Sequence, residues 1–168
     1  LTPVTEYCYR VRAINSAGNS DYSNSACATT DPEPSVATLI FQEGVNGYSG
    51  SKDTHLQQME PSASHGTMDY FKWDTESGGG IMYGLLRFDE IFGSGVGQIP
   101  QDAVIQSATL TYNVFDVGNS ANLYEVIVDW TEDVAYNDFG GDAGVQPEEY
   151  GGLVATAPGN PLGVYQVD

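Results

Sequence analysis

The sequence predicts an all-β protein: an antiparallel β-sandwich or jelly-roll-like domain preceded by a separate β-hairpin. Short runs rich in Val, Ile, Tyr and Thr recur along the chain, and 20 glycines supply the turns between them. No segment sustains an apolar stripe of helical period over three turns. Residues 104–114 place Ala108, Leu110, Tyr112 and Val114 on one face and Ser107, Thr109, Thr111 and Asn113 on the other. That alternation is expected of a strand wet on one side.

The first element is the hairpin, over residues 1–30. Tyr7, Tyr9, Val11 and Ala13 alternate with Cys8, Arg10, Arg12 and Ile14, and residues 16–19 form the turn. If Asn15 pairs with Ser20, paired positions sum to 35, and Cys8 then lies opposite Cys27. Facing residues on antiparallel strands lie within disulfide reach. Such a bridge stabilises a hairpin by roughly 3 kcal/mol in the loop-entropy view and belongs to an oxidising compartment. The alternative is two reduced cysteines on an edge hairpin. Residues 31–35, Asp-Pro-Glu-Pro-Ser, form a stiff connector and mark a domain boundary.

Beyond the boundary, residues 36–168 read as a string of short strands. Expected strands cover 37–42, 55–59, 70–74, 81–88, 104–114 and 123–130, and a last one begins at 163. Gly78, Gly79 and Gly80 separate the third from the fourth.

Composition bounds the role. With 23 acidic and 5 basic side chains the net charge is −18, which repels nucleic-acid phosphates and anionic lipid surfaces. No apolar run approaches the roughly 18 residues of a membrane span. The first residues carry neither a basic start nor a long apolar core, so the chain reads as mature or excised. After Arg87 there is no Lys or Arg, whereas residues 88–168 hold 13 acids. Solvent cations, a divalent metal or a cationic partner must balance them.

Two family resemblances follow from particular residues. Leu1, Pro3, Thr5, Tyr7, the run Tyr9-Arg10-Val11-Arg12-Ala13, Asn15, Gly18 and Ser23 resemble the last two strands of a fibronectin type III domain. That resemblance implies that Tyr7 is a tyrosine-corner residue whose hydroxyl bonds to nearby backbone. A lone hairpin is marginal in water, so either the chain is a fragment of a longer protein or something else covers the Tyr7, Tyr9 and Val11 face.

Asp53-Thr54-x-Leu56, Gly84-Leu85-Leu86-Arg87-Phe88-Asp89, the block from Ile99-Pro100 to Ser107-Ala108-Thr109-Leu110, and Trp130-Thr131-Glu132 resemble the DNRLRE (disaggregatase-related) domain. These β-sandwich domains occur in large secreted bacterial and archaeal proteins, and relatives act as carbohydrate-binding modules. The resemblance implies a secreted, extracellular or cell-surface, non-catalytic protein that binds a polysaccharide or cell-surface glycan. A rival reading is a structural protein that assembles with copies of itself into filaments, each copy completed by strand addition.

Candidate sites complete the expectation. Asp129, Glu132, Asp133, Asp138 and Asp142 place five carboxylates within 14 residues of Gly-containing loop. That oxygen-rich set suits Ca²⁺, although a solvated acidic loop is the simpler alternative. Tyr70, Trp73 and Tyr83, near Lys72, Asp74 and Glu76, offer flat rings for sugar C–H faces. Aromatics in strands more often form cross-strand pairs, and Tyr70 and Trp73 cannot share a face of a regular strand. His55 and His65 are too uncertainly placed to specify a transition-metal site. Arg87, inside an apolar strand, calls for a carboxylate partner such as Asp53 or Asp89. No nucleophile, metalloprotease or phosphate-loop motif is present.

Overall fold

A computed structural model describes residues 1–33, 35–77 and 80–168. Pro34 of the connector and Gly78 and Gly79 of the expected turn lie outside the described residues. The fold is all-β, with several small antiparallel sheets and, among the described residues, a single 3₁₀ turn, Phe139–Gly141. The chain divides into two compact units, Leu1–Thr38 and Leu39–Asp168.

In the first unit, β1 (Glu6–Tyr9) pairs with β4 (Ala26–Thr29), and the short β2 (Ile14–Asn15) pairs with β3 (Gly18–Asn19). Cys8 faces Cys27 and the two form a disulfide. The turn differs from the expected one. Asn15 pairs with Gly18, so partners at the tip sum to 33. Two serines absorb the difference. The Ser20 amide donates to the Ala13 carbonyl while its Oγ accepts from the Ala13 amide; Ser23 does the same with Val11. Each hydroxyl replaces a carbonyl that the ladder has skipped, and each lets the second strand gain one residue on the first. The sum rises to 34 at Ser23 and to 35 at the cysteines, so the cysteine pairing is reached from a tip register two residues away from the expected one.

The second unit is built on β5 (Ser51–Gln57), β6 (Asp74–Ser77) and β7 (Gly80–Phe88), in the order β5-β7-β6. Register sets Thr54 opposite Leu85 and Leu56 opposite Tyr83, which puts these four side chains on one face. That face packs on Trp130 and Phe139 to make the core, with Val126, Val128, Val134, Tyr136 and Val145 around it. The other face carries His55 opposite Gly84. Thr54, His55, Leu56 and Gln57 are therefore all buried: β5 is covered on both sides.

Two further pairs complete the unit. β8 (Leu110–Val114) pairs with β11 (Gly163–Val167), and β9 (Ala121–Val126) pairs with β10 (Tyr150–Ala157). Several expected strands are corrected. Residues 37–42 form no strand, and Leu39 and Ile40 are exposed. Residues 70–73 are irregular, because β6 begins at Asp74. Of 104–114 only the second half is paired; 104–109 make no ladder, and Val104 and Ile105 are exposed. β10 has no counterpart in the expected strands. Its Gly151 and Gly152 fall where the register shifts between Tyr150 and Leu153, and glycine at a bulge removes the alternation that marks a strand.

Candidate functional site

Two side-chain groupings stand out in the second unit. The first ties the Trp130 loop to the central sheet. Lys52 and Arg87 are register partners at the end of the core face. Lys52 Nζ lies 3.1 Å from Glu132 Oε2, and the Asp53 amide donates to Glu132 Oε1. Arg87 donates to the Trp130 carbonyl at 2.8 Å, forks onto both oxygens of Asp89 and lies over the Trp130 ring. The hydrogen bond that Lys52 donates to Glu132 raises the Lys52 pKa, whereas burial, reinforced by the Glu132 charge, raises that of Asp53. Ser64 Oγ donates to the Glu132 carbonyl, and a Cβ on Gly66 would collide with that same carbonyl. The widely separated blocks at 53–56, 87–89 and 130–132 thus meet in space. Arg87 takes Asp89 as its carboxylate, not Asp53.

This arrangement commits Glu132 to a lysine and a backbone amide. Among the described residues, no three of Asp129, Glu132, Asp133, Asp138 and Asp142 bring carboxylate oxygens within 4.8 Å of one another. Asp138 and Asp142 instead flank the 3₁₀ turn at its two caps. Among the described residues, the one group of three metal-ligating side chains that does converge is Glu6 with Cys8 and Cys27, where the disulfide leaves no thiolate to coordinate a metal.

The second grouping is aromatic. Gly84 on β7 leaves room for Phe71, whose ring would lie 2.7 Å from a Cβ at that position. Phe71 thereby seats residues 70–73 on the sheet, where no regular strand constrains them. Trp73 then meets Phe71 at 5.9 Å between ring centroids and Tyr112 of β8 at 6.0 Å. Tyr112 and Tyr165 are cross-strand partners with nearly parallel rings 5.8 Å apart. All four side chains are half-buried. Their polar tips are anchored. Trp73 Nε1 donates to the Asn119 carbonyl, Tyr112 Oη to Pro158 and Tyr165 Oη to Pro161. The Gly118 amide donates to the Gly159 carbonyl and joins the two anchoring loops. Burial, then Tyr165, raises the Tyr112 pKa, so the hydroxyl stays protonated.

The three sugar-site candidates separate. Trp73 belongs to this row. Tyr70 turns the other way, onto His55 and Phe115, with Lys72 over its ring. Tyr83 packs against the core, where burial raises its pKa and Tyr136 and Tyr150 are its charged-state neighbours. The side chain of Glu76 lies outside the described residues. Tyr112 and Tyr165 are members that sequence reasoning missed. The alternation of 110–114 places Tyr112 on its face, but nothing local pairs it with Tyr165, 53 positions further on.

In the first unit, Tyr7 Oη accepts a 2.8 Å hydrogen bond from the Thr2 amide, and the Thr2 side chain, then that amide, lowers the tyrosine pKa. Arg10 and Arg12 both lie over the ring of Tyr22. Comparison of the chain with family models, with curated proteins and with solved structures finds no match to any of them.

Proposed function

We propose that this chain is a non-catalytic glycan-binding or adhesive module of a secreted protein, and that its ligand lies along the ring row Phe71–Trp73–Tyr112–Tyr165. The row is the observation that carries the reading. Four neighbouring half-buried rings, three of them with tethered tips, present apolar faces in fixed positions. Pre-set rings lose little conformational freedom when a sugar face stacks on them. The disulfide supports an extracellular setting, and the resemblances to fibronectin type III and DNRLRE domains point the same way. Affinity electrophoresis through gels holding neutral or acidic polysaccharides tests the reading. Retardation by at least one polymer is expected, and Trp73→Ala should abolish it while the far-ultraviolet spectrum is unchanged. No retardation by any polymer would refute it.

A second reading, self-assembly by strand addition, has its own support. Residues 104–109 keep a strand's alternation yet pair with nothing among the described residues, and Val154 and Val164 are exposed on two-stranded sheets. Open edges of this kind accept a further strand. Light scattering across a concentration series distinguishes the readings: a monomer at all concentrations refutes assembly and leaves the glycan reading intact.

A further inference from the structure

The second face of the central sheet holds an unusual pair. His55 on β5 is 1% exposed and His65, on the loop after β5, is 4% exposed. Their rings stack 4.2 Å apart with planes 12° from parallel. His55 Nδ1 and both ring nitrogens of His65 have no hydrogen-bond partner. Parallel rings at this spacing do not aim two lone pairs at one point, so the pair is not a chelate. It is a stack of two buried rings, and it depends on His55 staying neutral. A proton on His55 Nδ1 introduces a charge with no acceptor in a dry site.

The His65 loop has four further ties, all to one segment. It meets the 132–137 segment through the Ser64–Ala135 bridge, the Asn137 amide on the Pro61 carbonyl, Ser64 Oγ on Glu132 and the close seat of Gly66. We propose that the His55–His65 stack is an acid-operated latch whose protonation expels His65 and frees residues 60–66 from the 132–137 segment.

The surrounding charged groups favour this. Burial, then His65, then Lys72 from the segment covering the same face push the His55 pKa down to about 4. Tyr70 offers a ring to His55. Glu60 stands 3.9 Å from His65 Nε2 on an exposed side chain, so it can follow His65 outward. Asp53 on β5 and Glu132 on the facing segment are the other titratable groups near the latch, and both remain in the test variant.

The test is hydrogen exchange of the full chain from pH 7 to pH 4, corrected for intrinsic rates, alongside imidazole resonances in the same samples. Protection of residues 61–66 and of the Asn137 amide should fall at least tenfold as His55 titrates, and His55→Phe with His65→Phe should hold it constant. Equal opening in that double variant would assign the effect to Asp53 or Glu132 and overturn the latch. If the variant fails to fold, the wild type still decides: a His55 resonance titrating at an ordinary 6.5, or a loop that stays protected after His55 is protonated, overturns it equally.

Discussion

The two units are stabilised by different means. Among the described residues of the first unit none is buried, and its strands are held by a disulfide, two serine hydroxyls and a tyrosine hydroxyl on backbone. The second buries Leu56, Leu85, Trp130 and Phe139 on one side of a sheet and a histidine pair on the other. A chain too short to bury a core relies on a cross-link that restricts its unfolded state. A longer one relies on burial, and burial makes it sensitive to whatever polar groups lie inside.

Removing bulk should break the comparison most sharply. Phe139→Ala leaves a void beneath the 3₁₀ turn and should cost the second unit about 3–5 kcal/mol, read as a lower urea midpoint, with the hairpin's exchange protection unchanged. Acid should act nearly as strongly on the same unit. The fall of the His55 pKa from 6.5 to about 4 corresponds to roughly 3 kcal/mol. The folded state binds the proton less well than the unfolded chain, so this stability is whole above pH 6.5 and gone below pH 4. Asp53, raised in the folded state, opposes part of the loss. The first unit contains no histidine and should show no such step in a pH series of melting curves.

Reducing the disulfide inverts the pattern. Cys8 and Cys27 are 19 apart in sequence, and opening that loop should cost the hairpin about 3 kcal/mol. Amides of residues 6–29 should lose protection while the second unit's melting is unaltered. The smallest expected effect is on the serines. Ser20→Ala and Ser23→Ala should each cost about 1 kcal/mol or less, seen as faster exchange at Ala13 and Val11 with the disulfide still formed.

Sequence alone made the all-β class legible, along with the hairpin, the facing cysteines and the strand at 80–88, because periodicity and turn residues are local. Where tertiary burial replaces alternation, it failed. Asp53-Thr54-His55-Leu56-Gln57 looks too polar for a strand with both faces covered, so β5 was expected further along. Residues 37–42 look apolar enough for a strand but find no partner. The hairpin register depended on which side chains would stand in for carbonyls, and a serine does not announce that role. At the candidate site Trp73 was readable as a flat ring, whereas Tyr112 and Tyr165 required the β8–β11 pairing. The acidic loop was readable as charge, but its carboxylates diverge, and Glu132 is held by a lysine 80 positions earlier.

The central claim is that the tethered ring row receives a sugar. Tryptophan fluorescence tests it directly, because the chain has 2 tryptophans and only Trp73 belongs to the row. Titrating wild-type protein and Trp73→Phe with a soluble oligosaccharide from any retarding polymer should give a saturable spectral shift in the wild type and none in the variant. An unresponsive wild type, or the same shift in both proteins, would contradict the account.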